Sequence, residues 1–176
     1  MTTLKVWSEA DSPSVTISGG GLHHLQVHKN FPTVVADGTL VTSGKWYYEV
    51  TIAEDVLAQI GWANPKFEPD SEEGNGVGDD MFSYSYDGHR CCKWHDGSEV
   101  WGERWKPGDV VGAALDLDGD NTAIMFSLNG RWTSMGTAFS NVDVGHGLIP
   151  VTSAGKGVAS SLQFSFDKKS MCHSPP

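Results

Sequence analysis

The feature that most constrains the fold lies past the middle of the chain. An apolar run from Gly108 to Leu117 is followed by the polar stretch Asp118-Gly119-Asp120-Asn121, a second run from Thr122 to Leu128, and then Asn129-Gly130. In the second run Ile124, Phe126 and Leu128 alternate with Met125 and Ser127, the period of a strand with one buried face. Asn-Gly between apolar segments supplies the positive φ angles that a two-residue turn needs. Two strands joined by a tight polar turn, with a second hairpin turn behind them, commit this region to an antiparallel β-scaffold. They specify no reaction.

Further segments read the same way. In Ser43–Ile52, Trp46, Tyr48, Val50 and Ile52 fall on one face and Tyr47, Glu49 and Thr51 on the other. Ala58–Ala63 reads as a strand in which Gly61 permits either close backbone approach or a bulge. Leu22–His28, Phe82–Tyr86, Arg90–His95, Gly147–Val151 and Ser161–Phe166 complete the set. Phe31–Gly38 holds Pro32 and Asp37-Gly38 and reads as a loop. Lys66–Asp80 carries six carboxylates and three glycines with no cation after Lys66, so it is expected to be exposed and mobile. No window of ten or more residues keeps a 3.6-residue apolar period, so few or no helices are expected. The expectation is an all-β antiparallel sandwich over residues 22–166. Residues 1–21 form an extension or edge strand, and residues 167–176 a flexible tail.

Charge and cysteine usage exclude several classes. A formal charge of −10 argues against a nucleic-acid footprint, which is basic. There is no run of 18 apolar residues for direct membrane insertion, and Met1–Trp7 lacks an apolar signal core. Of the three cysteines, Cys91 and Cys92 are adjacent, a poor geometry for a bridge, which points to reduced thiols and a cytoplasmic location.

Candidate chemical motifs fare poorly. Asp116, Asp118 and Asp120 resemble the start of a calcium loop, but Asn121 stands where that loop needs Gly and Ser127 where it needs Glu. His89, Cys91, Cys92 and His95 invite a zinc reading, yet they share one strand and partly alternate faces. A Cys91 or Cys92 nucleophile would need His95 and Asp96 to converge on it, which nearness along a strand does not provide. Glu72 and Glu73 sit in a glycine-rich loop that gives no rigid support for paired-carboxylate catalysis. No enzyme, metal or cofactor is expected. Acidic residues 68–80 are either a docking surface or a solvated loop. Trp46 and Trp62 read as core, whereas Trp101, beside Arg104 and Trp105, reads equally as interface anchor or core.

Six motifs recur in a telling order: Lys45-Trp46-Tyr47-Tyr48-Glu49-Val50, Ile60-Gly61-Trp62-Ala63, Ser83-Tyr84-Ser85-Tyr86-Asp87-Gly88, Gly108–Gly112, Phe126–Gly130 and Leu148–Val151. No single motif is specific, but the ordered set resembles a SPRY domain from about Leu22 to Phe166. Asp143–Pro150 is most similar to the SPRY domains of ryanodine receptors and very large HECT-type ubiquitin ligases. The resemblance implies a bent, concanavalin-like β-sandwich acting as a non-catalytic protein-interaction module, monomeric in isolation. Such a module recognises a short peptide or a neighbouring domain through loops at one end, as in substrate recognition by a ubiquitin ligase. Aromatic richness alone leaves a carbohydrate-binding sandwich as a lesser alternative. A structural module packed against other domains of a giant parent protein is the stronger one.

In the branch of the family that carries a suppressor-of-cytokine-signalling box, the peptide site uses three places. They correspond here to Asn64, to Met81, and to Gly155-Lys156-Gly157. Lys156 stands where that branch has a corner Trp, so the resemblance carries the site's location and not that branch's peptide specificity. The first loop, Lys29-Asn30-Phe31, borders the same site in the family. Together with Trp101 these are the candidate partner-binding residues: Phe31 and Trp101 as apolar anchors, Lys156 as a donor to an acidic or carbonyl group. A Phe31 buried in its turn is the bland alternative.

Overall fold

The computed structural model describes residues 2–8, 13–19, 22–155 and 160–176. Among them fourteen strands follow one another. The first seven are β1 (Thr3–Val6), β2 (Val15–Ser18), β3 (Leu22–Val27), β4 (Thr33–Asp37), β5 (Lys45–Ile52), β6 (Ala58–Ala63) and β7 (Ser83–Asp87). The rest are β8 (Cys92–Trp94), β9 (Ser98–Val100), β10 (Val110–Asp116), β11 (Ala123–Leu128), β12 (Gly136–Ser140), β13 (Ile149–Ala154) and β14 (Ser160–Ser165). Seven form sheet A, in the order β1-β4-β13-β6-β7-β8-β9, and seven form sheet B, in the order β12-β11-β10-β5-β14-β3-β2. All pairings are antiparallel.

Alternation along the strands decides what lies between the sheets. Sheet B turns Tyr48, Val50, Ile52, Val111, Ala113, Leu115, Phe126 and Phe164 inward, and sheet A answers with Val34, Ile60, Trp62 and Tyr86. Each large side chain so buried contributes roughly 1.5–3 kcal/mol. Tyr48 spans the layers, its hydroxyl donating to the Gly61 carbonyl at 2.7 Å. A Cβ on Gly61 would meet the Tyr84 carbonyl oxygen at 1.8 Å, so β6 and β7 approach closely only because position 61 is glycine. The β10–β11 hairpin runs from Val111 opposite Leu128 to Asp116 opposite Ala123, and Asn129 and Gly130 take φ of 53° and 72°, as the sequence predicts.

Four expectations are corrected. Residues 33–37 are strand β4, not loop: Pro32 and Gly38 punctuate its ends, and Thr33-Val34-Val35 between them favours a strand. Trp46 is 46% exposed, because at the start of β5 its indole N–H turns back to donate to the Ser43 carbonyl. The acidic segment is anchored across the outer face of sheet A. There Phe67 and Val77 are buried, packing with Val35, Ala63 and Val151 in a second apolar cluster. The last ten residues also return to the fold. A turn at Asp167–Ser170 is held by Ser170 N–H to the Asp167 carbonyl, and beyond it Cys172 and His173 bond to Glu49 on the outer face of sheet B. Residues 1–21 contribute β1 as an edge of sheet A and β2 as an edge of sheet B.

Candidate functional site

Residues 53–57, the connection from β5 to β6, organise one end of the sandwich. The Leu57 carbonyl accepts from Gly155 N–H (2.9 Å) and the Val56 carbonyl from Trp105 Nε1 (3.2 Å). Asp55 reaches His89 Nδ1 at 3.1 Å and Arg104 Nη2 at 3.5 Å, and Arg104 also donates to the His89 carbonyl. Arg104 and Asp55 remain more than half exposed, a weak ion pair by itself but a directed one. Trp101 stands beside this cluster, half-buried and edge-on to Tyr86 at 5.5 Å, with its backbone N–H on the Cys91 carbonyl.

Phe31 belongs to the same end but is no exposed anchor. It is 8% exposed, its N–H donates to the Ser71 carbonyl at 3.0 Å, and its ring lies against Gly76 and Gly155. The turn-buried reading of Phe31 is the one that holds. Lys29 and Asn30 before it are exposed, and Asn30 takes a left-handed φ of 59°. Gly155 is buried, and Lys156 and Gly157 lie outside the described residues.

Asn64 and Met81 are elsewhere. Both lie past the opposite end of the six-residue β6, about 20 Å away along the strand. Asn64 is buried and builds a turn, its Oδ1 accepting from Lys66 N–H and its own N–H donating to the Phe82 carbonyl. Met81 is 60% exposed at that end. The antiparallel register of β6 against β13 and β7 separates what the motif order had placed together: Ala58 pairs with Ala154, whereas Ala63 pairs with Ser83.

The motifs set aside on sequence have structural employment. Asp116 accepts from Asp118 N–H and pairs with Lys45 at 2.7 Å, and Asp118 accepts from Gly44 N–H. The Lys45 partner holds the Asp116 carboxyl below its ordinary value. His95 stacks on Tyr84 at 4.0 Å. Burial pushes the Cys92 thiol up, and the Asp87 charge adds to the shift. Asp87 is buried and bonded to Arg90, whose guanidinium lies 4.3 Å over the Trp94 ring. Among the described residues no three His, Cys, Asp or Glu side chains gather to hold a metal.

Sequence reasoning missed the Asp55–His89–Arg104 cluster, because its members are 34 and 49 residues apart and meet only through strand register. It also missed Glu49, 1% exposed on an outward-facing position of β5.

A family model for the SPRY domain matches residues 45–169. The chain is 36% identical over 127 residues to E3 ubiquitin-protein ligase RKP of Arabidopsis thaliana, covering 70% of this chain and 10% of that protein. It is 30% identical over 99 residues to ATP-dependent RNA helicase DDX1 of Xenopus laevis, covering 56% of this chain and 12% of that protein. The chain thus spans about a tenth of the length of these curated relatives.

Proposed function

The chain belongs to the SPRY family, and from that premise we propose that it is a non-catalytic protein-interaction module that recognises a partner through loops at one end of its sandwich. The observation that carries this reading is the convergence on residues 53–57 of three separate loops, those carrying His89, Arg104–Trp105 and Gly155. There Asp55, His89, Trp101 and Arg104 stand over a buried frame of Tyr86 and Trp105. An aromatic side chain beside an arginine, on short connections between rigid strands, makes an anchor with little ordering cost on binding. Two relatives whose names denote different chemistries, a ligase and a helicase, each share with this chain only about a tenth of their length. That supports a module without catalysis of its own. The ligase relative supports partner recognition within a larger ubiquitin ligase. The three free cysteines fit a reducing cytoplasm, and no helix among the described residues is long and apolar enough to cross a membrane.

A second reading rests on the opposite end. Leu40 is half-exposed there and lines, with Trp7, Val35 and Ile149, an open groove of about 450 Å³. A structural module packed against other domains of a longer protein would bury that groove and Met81. Affinity capture separates the two readings, comparing the wild type with Trp101→Ala/Arg104→Ala and with Met81→Ala, each first shown to be folded. A partner lost only with the first variant supports loop recognition. A partner lost only with Met81→Ala, or unaffected by either variant, overturns it.

A further inference from the structure

Glu49 is an acidic side chain with almost no exposure, and among the described residues no ion pair reaches it. It accepts hydrogen bonds from the Tyr47 hydroxyl at 2.8 Å, Cys172 N–H at 2.6 Å and His173 N–H at 2.7 Å. Two consecutive main-chain amides thus grip one buried carboxylate, a charge-assisted pair among the stronger kinds of hydrogen bond. The next contact is also to main chain: Trp132 Nε1 donates to the Ser174 carbonyl at 3.0 Å, with Trp132 steadied against Tyr47 at 5.8 Å. His173 lies on Gly130, where a Cβ would come within 2.9 Å of its ring. Gly112, with no Cβ, lets the Tyr47 phenol lie across β10. Beyond Ser174, Pro175 and Pro176 stand beside an open groove of about 360 Å³ floored by Trp46, Tyr47, Ala114 and Met125.

We propose that the outer face of sheet B is a peptide-binding groove, and that residues 171–176 are its occupant in cis. The carboxylate and the indole read amide N–H and carbonyl groups, so the site takes an extended segment by its backbone. The fitting ligand in trans is a flexible peptide with two adjacent free amides, followed by residues such as the prolines that line the open groove. This surface is separate from the loop end argued above and stands without it. The Asp167–Ser170 turn, closed by local bonds and by Ser165 Oγ to Ser170 Oγ, is the joint on which the occupant would swing away.

The test keeps the full chain and removes only the two donors. In Cys172→Pro/His173→Pro the last segment loses both amide N–H groups while the groove is untouched. A labelled peptide of residues 168–176 is then titrated by fluorescence anisotropy. Binding should be saturable and at least about tenfold tighter than to the unaltered chain, whose groove is filled at a high effective concentration. Adding Glu49→Gln to the proline variant should weaken it by about tenfold or more. Absence of binding by a folded proline variant, or indifference to Glu49→Gln, overturns the proposal. Failure of the proline variant to fold overturns it too, since the segment would then be part of the fold and not an exchangeable ligand. Hydrogen exchange on the unaltered chain gives a second reading. Cys172 and His173 amides should exchange by local opening, at least about a hundredfold faster than β10 amides. Exchange at the β10 rate overturns the proposal.

Discussion

Phe31 and Trp101 carry the same sequence signal, an aromatic residue in a turn-rich stretch, and the fold gives them different work. Phe31 wedges between two glycines and the backbone of the acidic segment, whereas Trp101 lies half-exposed over Tyr86. Nothing local distinguishes them, because Gly76 and Gly155 reach Phe31 from far along the chain. Phe31→Ala should therefore cost about 3 kcal/mol of stability in urea unfolding, as large-to-small changes at buried sites do. Trp101→Ala should cost less than half as much. Equal costs would contradict the placement of Phe31. The cysteines separate by the same logic. Cys172 is exposed, while Cys92 is buried with its thiol pushed up by that burial. Maleimide should label Cys172 readily and reach Cys92 only on unfolding, as peptide mass mapping will show. Labelling of Cys92 at the rate of Cys172 would refute this.

At the scale of elements, alternation made most strands legible, since a strand with one face in the core writes its period into the sequence. It failed where burial comes from somewhere else. Residues 64–82 have the composition of a solvated loop, and the exposed tip at Glu72–Asn75 is one. Their other half lies on sheet A through single bonds that composition does not record. Val77 N–H donates to Ser153 Oγ (3.1 Å), the Val77 carbonyl accepts from Ser85 Oγ (2.6 Å), and Gly78 N–H donates to Ser83 Oγ (2.7 Å). Three serines on an outward row of β7 and β13 hold this cover, and a serine-rich face reads as exposed until the cover is seen. Amides of Val77 and Gly78 should then resist hydrogen exchange, whereas those of Glu72 and Glu73, bonded to the exposed Asp70 carboxylate, should exchange fast. Ser153→Ala strands the buried Val77 N–H and should cost about 1–3 kcal/mol. Uniformly fast exchange across 70–80 would restore the mobile loop that composition predicts. The candidate site was half-legible for a related reason. Motif order identified loops correctly as connections, but the register of β6 decides which end each occupies, and it sends Asn64 and Met81 away from Phe31 and Gly155.

For the molecule as a whole, the ionisable groups set an asymmetric response to pH. The lowered carboxyls of Asp37, Asp116 and Glu103 owe their shifts first to hydrogen bonds from exposed Lys5, Lys45 and Arg131, so solvent screening leaves them little weight in stability. The alkaline side differs. Burial raises the phenols of Tyr47, Tyr48 and Tyr86 from an ordinary value of 10.0, and the Cys92 thiol from 9.0. These groups hold protons in the fold that the unfolded chain releases. Their stabilisation is complete below the unfolded values and is lost as pH rises from there toward the raised folded values. Stability from urea unfolding should decline from about pH 9 upward, the deeply buried Tyr48 and Tyr86 each adding a slope approaching about 1.4 kcal/mol per pH unit once its unfolded form ionises, and Tyr47 and Cys92 less. Repulsion within a chain of net charge −10 would also weaken the fold on this side. Salt tells the two causes apart. At about 0.5 M the repulsion between surface charges is screened, while the cost of ionising a buried phenol is not. A decline that persists in salt assigns it to the buried tyrosines and thiol; one that vanishes assigns it to surface charge.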